Sequence, residues 1–444
     1  MKTPIRDFAR RYAEGNALRL HMPGHKGAGF LGLEPLDITE IDGADSLYEA
    51  GGIIRESEQN ASALFGCRTF YSTEGSSQCI RAMLYLAALE ARQRGKRPLI
   101  AAGRNAHKTF LSAAALLDLE VLWLCPPGQG SYLSCKPDVP FLEAVLLEQK
   151  PTAVYLTSPD YLGNVAELEA LAAVCHQHGV LLLVDNAHGA YLRFLPESRH
   201  PIDLGADLCC DSAHKTLPVL TGGAYLHISG NAPPVFSQQA KNALALFGST
   251  SPSYLILQSL DQANAYLAGD YRDRLGVFAS QVQRLRDRLT ARGYCLLGDE
   301  PLKLTLGTKP YGYEGRQLAR ILFEKGLVCE FSDPDFAVMM LTPETGEEGL
   351  RLLEGALCSI PPRAPISEKP PAFHLPRQVM SIREAVLSPC KTIPAAEGLG
   401  RIQAAPSVGC PPAVPMVVCG ERIDSHVLQC FSYYGIQTCT VVIP

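Results

Sequence analysis

The chain has 444 residues, 47% of them apolar and 19% charged, with a formal net charge of −5. That length and balance predict a folded chain with one large and one smaller domain, and argue against disorder. The acidic excess argues against a nucleic-acid surface, and no apolar run reaches the length that spans a bilayer.

The fifteen cysteines are scattered singly, apart from adjacent Cys209 and Cys210. The charged start "MKTPIRDFARRYAEG" has no secretory pattern, so buried thiols in a cytoplasmic protein are expected rather than disulfides. Residues 1–20 read as an amphipathic helix followed by an extended piece. Residues 21–60 are Gly-rich and irregular, containing "HMPGHKGAG" and "DGADSLYEAGG". A long irregular stretch of this kind is usually functional or interfacial.

From residue 57 helices and short apolar strands alternate. "SEQNASALFG" is a helix and "CRTFYST" a strand. Gly75, Ser76 and Ser77 then turn the chain into the helix "SQCIRAMLYLAALEARQRG". Its basic end, "ARQRGKR", suits a helix C-terminus. The strands "RPLIAAG", "LEVLWLC", "PTAVYLTSP" and "VLLLVDNAHG" follow, separated by helices, and then "ADLCCDSAHK" and "GGAYLHI" as further strands. "CHQH" at residues 175–178 lies at the end of a predicted helix closed by Gly179, and is read as terminal helix charge with no metal implied. This alternation predicts an α/β fold with a mostly parallel central sheet covered by helices. One or two linking helices run to about residue 290. A smaller C-terminal α/β domain and a Pro-rich stretch at 361–377 come next, and the irregular tail ends in a final helix and strand. The expected division is 1–56 as an N-terminal interface segment, 57–290 as the large domain and 291–444 as the small domain with its wrap.

Several polar residues sit where strands end. Carboxyl ends of strands in an open sheet face the ligand crevice. An enzyme that uses pyridoxal 5'-phosphate (PLP) needs four things there: a lysine to hold the aldehyde covalently, a carboxylate to keep the pyridine nitrogen protonated, donors for the phosphate and a flat group against the ring. Lys215 is the candidate lysine. Asp185, ending "VLLLVD", is the candidate carboxylate, although an aspartate there can equally cap a turn. "STEGSS" offers backbone N–H groups with the hydroxyls of Ser76 and Ser77. His107, His188 and His214 also follow strands, and His107 can stack on a ring.

These motifs together resemble the PLP-dependent ornithine/lysine/arginine decarboxylases, which have the fold type I of PLP-dependent transferases. The resemblance runs through "RLHMPGHKG", "YSTEGSSQ", "RNAHKTF", "VDNAHGAY", "DSAHKTLP", "TSPSY" and "GRIQAAPSVGCPPAVP", in family order over nearly the whole chain. It implies Lys215 as the covalent lysine with His214 beside it, Asp185 as the ring-nitrogen partner and His107 as the stacking residue. It implies Ser76, Ser77 and Ser212 as phosphate ligands, with Ser251 reaching a phosphate across a dimer interface. It further implies decarboxylation of a basic amino acid, a role such as polyamine biosynthesis, and a homodimer with shared active sites, which can pair into a tetramer. There is no room for the wing domain of the large inducible members.

The chain departs from the family pattern at Met22, at Glu74, at Asn186, where an acidic residue is common, and at Gly409, Cys410, Pro411, Pro412 and Ala413. Glu74 is expected to point away from the phosphate. Cationic substrates call for an acidic wall, with Glu421, Asp333 and Asp45 as candidates, each also readable as an ordinary turn or surface residue. The competing readings are an aminotransferase or lyase on the same fold, for which Arg351 or Arg401 would clamp a carboxylate, and a non-catalytic protein that keeps the fold for binding.

Overall fold

A computed structural model describes residues 1–406 and 415–443. The altered motif at Gly409, Cys410, Pro411, Pro412 and Ala413 therefore lies outside the described residues. The first seven strands are β1 (Arg68–Ser72), β2 (Leu99–Gly103), β3 (Glu120–Leu124), β4 (Ala153–Thr157), β5 (Leu181–Asp185), β6 (Leu208–Asp211) and β7 (Ala224–Ile228). They hydrogen-bond in the order β1-β7-β6-β5-β4-β2-β3. β2 with β3 and β5 with β6 are parallel, whereas β7 runs antiparallel to both β1 and β6. β5, β6 and β7 are buried almost throughout, as expected for strands covered on both faces. A four-stranded antiparallel sheet contains β8 (Cys295–Leu297), β9 (Lys303–Gly307), β10 (Phe331–Ser332) and β11 (Phe336–Met340). β12 (Cys390–Pro394) and β13 (Thr438–Val442) form an antiparallel pair.

By contacts, the chain forms two compact units that interleave in sequence. The first comprises Met1–Pro98, Thr152–Val154 and Leu168–Arg274; the second comprises Leu99–Pro151, Tyr155–Glu167 and Leu275–Pro444. In the first, the long helix Gly75–Gln93 buries Ile80, Met83, Leu84 and Leu86 and packs on β6, β7 and the helix Pro234–Ala245. In the second, Phe331, Val338, Ile393, Val417, Val427 and Phe431 share one apolar cluster. Among the described residues no helix is long and apolar enough to cross a membrane.

Two local differences from the sequence reading have clear causes. The helix read from residue 57 begins earlier, as Ile53–Phe65. The Asp45 carboxylate gathers the N–H groups of Gly51, Gly52 and Ile54 at 2.9, 2.7 and 3.0 Å, satisfying donors that a helix start leaves open. The stretch "ADLCCDSAHK" is not strand throughout. β6 stops at Asp211, and Ala213–Thr216 is a single helical turn, because the His214 N–H turns to the Gly223 carbonyl and the Lys215 N–H to the Ser212 carbonyl.

The N-terminal helix Pro4–Glu14 is held from outside itself. Asp261 accepts from the Ile5 and Arg6 N–H groups, both at 3.0 Å, and from the Ser57 hydroxyl at 2.5 Å. Burial pushes the Asp261 carboxyl up to about 6, against the smaller opposing pull of these donors. The native state thus holds this proton more tightly than the unfolded chain. Its stability falls as pH rises from the ordinary aspartate range through about 6. Asp261→Asn keeps an acceptor and removes the charge. Its advantage over the wild type is expected to be small at pH 4 and to reach about 2 kcal/mol at pH 7.5 in urea unfolding.

Candidate active site

Strand pairing sets the site. Val184 lies opposite Cys209, and Asp185 opposite Cys210. Side chains alternate along a strand, so Asp185 and Cys210 share one face of the sheet, and Cys209 and Asp211 share the other. Asp185 is only 3% exposed. Its Oδ1 accepts from the Ala187 N–H at 3.2 Å and from the Cys210 thiol at 3.6 Å.

Just beyond β6, the helical turn lifts Lys215 to His188, with Nζ 2.8 Å from Nε2. His214 places Nδ1 3.0 Å from the Gly223 carbonyl. A carbonyl only accepts, so Nδ1 carries the proton and Nε2 keeps a lone pair. Burial lowers the proton affinity of His214; its bond to Gly223 partly opposes this, and the positive Lys215 adds to it.

Past β1, the chain turns at Gly75, whose φ of +69° favours glycine, and enters the long helix. The Gly75 N–H donates to the Gly222 carbonyl at 2.7 Å. The Ser212 hydroxyl donates to the Ser76 hydroxyl at 2.8 Å, so two of the sequence-predicted phosphate ligands meet at a helix N-terminus. Ser77 follows on the first turn, half-buried. Gln78 braces this turn, accepting from the Ser72 hydroxyl at 2.6 Å and donating to the Tyr48 hydroxyl and the Leu244 carbonyl, both at 2.8 Å. Glu74 accepts from the Ser249 N–H at 2.6 Å. Ser251 is exposed in that loop, with its N–H on the Ser249 hydroxyl. Paired hydroxyls at a helix start, a strand-end amine and a buried carboxylate within one unit fit a phosphorylated pyridine aldehyde.

His107 belongs to the second unit. It caps the helix Lys108–Leu117, its Nδ1 accepting from the Thr109 N–H at 3.3 Å, and its side chain is exposed. The acidic-wall candidates have other partners. Glu421 forms a bidentate pair with Arg104 at 2.7 and 2.8 Å, both side chains essentially without solvent. Arg104 also donates to the Pro415 carbonyl and lies over the Trp123 ring. Burial alone would raise the Asp45 carboxyl, but N–H bonds led by Gly51 and Gly52 hold it below its ordinary value. Asp333 Oδ1 accepts from the Asp335 and Phe336 N–H groups, both at 2.7 Å, while burial pushes its carboxyl up to about 6. Arg351 is exposed and paired with Glu348, and Arg401 lies half-buried in the tail. In "CHQH", Cys175 is buried and His176 meets Asp207 at 3.1 Å.

Sequence reasoning missed the polar cluster on the opposite face of the sheet, formed by Asn186, His200, Asp211 and His227. Its signal was an Asn and an Asp at adjacent strand ends, but the two histidines come from elsewhere in the chain.

The model of the Orn/Lys/Arg decarboxylase major domain matches residues 3–292. The chain belongs to the Orn/Lys/Arg decarboxylase family. It is similar to an arginine decarboxylase of Halalkalibacterium halodurans, with 29% identity over 96% of this chain and 92% of that one. An arginine decarboxylase of Bacillus subtilis is 28% identical with the same coverage. Among solved structures, a lysine decarboxylase of Francisella novicida matches with a TM-score of 0.80 at 17% identity, over 99% of this chain and 81% of that one. The likeness establishes the expected fold: type I of the PLP-dependent enzymes, α/β with a mostly parallel central sheet and a smaller antiparallel sheet.

In this family member the Arg104–Glu421 pair has a measurable structural cost. Glu421→Gln leaves Arg104 buried without its counter-charge and is expected to lose about 3–5 kcal/mol in urea unfolding. A loss below about 1 kcal/mol would remove the pair from the scaffold.

Proposed function

We propose that the protein is a PLP-dependent decarboxylase of a basic amino acid, releasing CO2 and the corresponding amine. The observation that carries this is the grouping, within one unit, of Lys215 against His188, buried Asp185, and the Ser76–Ser212 hydroxyl pair at a helix start. Family membership adds decarboxylation. Arginine is the first substrate to test, because the two relatives described above carry that name and align over nearly the full length.

Bound PLP would supply an electron sink for the pair left by departing CO2. This chain's residues do the rest. Ser76, Ser77, Ser212 and the helix N–H groups would hold the phosphate, with Ser251 as a ligand from a second subunit. Asp185 would serve as partner of the ring nitrogen, its burial keeping water away from that contact. His107 would supply the flat group for the ring that the family motif implies. Lys215 would hold the aldehyde, and His188, in contact with its amine, would orient it. His214 keeps a lone pair on Nε2, so it can take up a proton there, and either the Lys215 ammonium or a His214 so protonated can return one to the substrate carbon.

We further propose a cytoplasmic homodimer divided as 1–56, 57–290 and 291–444. Leu18, Leu20, Phe30 and Leu31 are each more than 80% exposed, yet the loop presenting the last two is ordered. The Glu34 carboxylate binds the N–H groups of Phe30, Leu31 and Gly32 at 2.7, 2.6 and 2.9 Å. An ordered loop that presents apolar side chains suits a subunit contact.

Incubation with arginine, lysine and ornithine in turn, with CO2 and amine measured, tests the activity. Keto acid without CO2 would reject it in favour of transamination. Lys215→Ala is expected to abolish turnover, and Asp185→Ala to lose at least about 100-fold in kcat. Leu31→Asp is expected to lower the mass seen in sedimentation velocity.

A further inference from the structure

Behind the sheet, on the face away from Asp185, Asp211 is buried with no exposure. Four donors converge on it. His200 Nε2 and His227 Nε2 each lie 3.1 Å from Oδ2. Asn186 Nδ2 donates to Oδ1 at 2.6 Å, and the Cys209 thiol lies 3.6 Å from the same oxygen. The proton positions follow from the neighbours. His200 Nδ1 takes the Ile202 N–H at 3.4 Å, which leaves the hydrogen on its Nε2; the Asp211 carboxylate only accepts, so His227 Nε2 also carries hydrogen, and its Nδ1 meets the Thr69 hydroxyl at 2.9 Å. Although burial opposes ionisation of Asp211, its histidine contacts hold the carboxyl well below the ordinary range. His227 is pushed down, foremost by burial. The cluster is therefore a buried carboxylate on which four donors converge.

That anion grips one turn. Asn186 is fully buried between Asp185 and the Ala187–His188 pair. Its N–H donates to the Cys210 carbonyl at 3.0 Å, and its carbonyl accepts from the Gly189 N–H at 2.8 Å. Its side chain fills the space beside Gly189, where an added Cβ would lie 2.0 Å from Asn186 Oδ1. One end of the turn carries Asp185; the other carries His188, in contact with Lys215. Asp211 itself leads directly into Ser212.

We propose that Asp211 is a positioning residue: held from behind by His200 and His227, it fixes Asn186 and thereby sets Asp185, His188 and Ser212 on the cofactor face. This rests on the reading of that face as a PLP site. It also explains why Asn stands where the family often has an acid. A carboxylate at 186 would meet the Asp211 carboxylate at hydrogen-bond distance, whereas an amide donates to it. The orphan acceptor Asn186 Oδ1 has no hydrogen-bond partner, so position 186 lacks the donors that a second charge would need.

The test measures PLP dissociation constants and the visible spectrum of the bound cofactor for wild type, Asp211→Ala, Asp211→Asn, Asn186→Asp and the double variant Asn186→Asp/Asp211→Asn. Thermal midpoints are taken with and without PLP. Asp211→Ala is expected to weaken PLP binding about tenfold or more and to shift the spectrum, so that its midpoint falls further with PLP present than without. Asp211→Asn keeps the shape and should lose less. In Asn186→Asp one of the two facing carboxyls must take a proton, so its PLP affinity should fall as pH rises. Adding Asp211→Asn should remove that pH dependence. Equal midpoint losses with and without PLP, at an unchanged dissociation constant and spectrum, would make Asp211 structural only and overturn the proposal. If Asp211→Ala does not fold, Asp211→Asn and Asn186→Asp decide by the same readings. Failure of the wild type itself to bind PLP would instead reject the proposed function.

Discussion

The pairing of β5 with β6 is the constraint on which the candidate site depends. Asp185 opposite Cys210 fixes which side chains face which way. A shift of one residue would turn Asp185 toward the helices behind and bring Asn186 forward. Everything downstream inherits this register. Ser212 meets Ser76, the turn after Ser212 delivers Lys215 to His188, and Asp211 is left on the far face with its imidazoles. Burial on both faces specifies the register strongly, because a misaligned carboxylate would lose the donors that now meet it.

Much of this was legible in the residues. Short apolar runs separated by helices gave the parallel part of the sheet, and Gly75 with two serines marked the turn into a helix. Lys215 and Asp185 stood out because they follow strands. The motif set, read together, indicated the family more sharply than any single residue. Local patterns failed where a partner lies far along the chain. Glu421 looked available for a cationic substrate until its Arg104 partner, 317 positions away, became visible. Asp45, readable as a wall acid or as a turn residue, closes the start of the next helix. The turn at Ala213–Thr216 was read as strand because its cause, the Gly223 carbonyl, lies ahead in sequence.

The buried charges separate into two kinds. Arg104 and Glu421 compensate each other with matched forks, a geometry that holds two segments in register. Asp211 instead gathers four donors: two imidazole N–H groups, an amide and a thiol. A buried carboxylate of this kind persists only if its lone pairs are met, so each donor in the cluster is constrained in rotamer.

The interleaving of the two units bears on how the protein can be made. The segments alternate along the chain, so the first unit lacks its helix Tyr254–Leu267 until well past the middle of synthesis, and the second lacks β13 until almost the last residue. A ribosome therefore cannot release one finished unit before beginning the other. No single cut in the chain yields either unit intact. Fragments for expression or crystallisation would have to be built by joining separated segments, not by truncation.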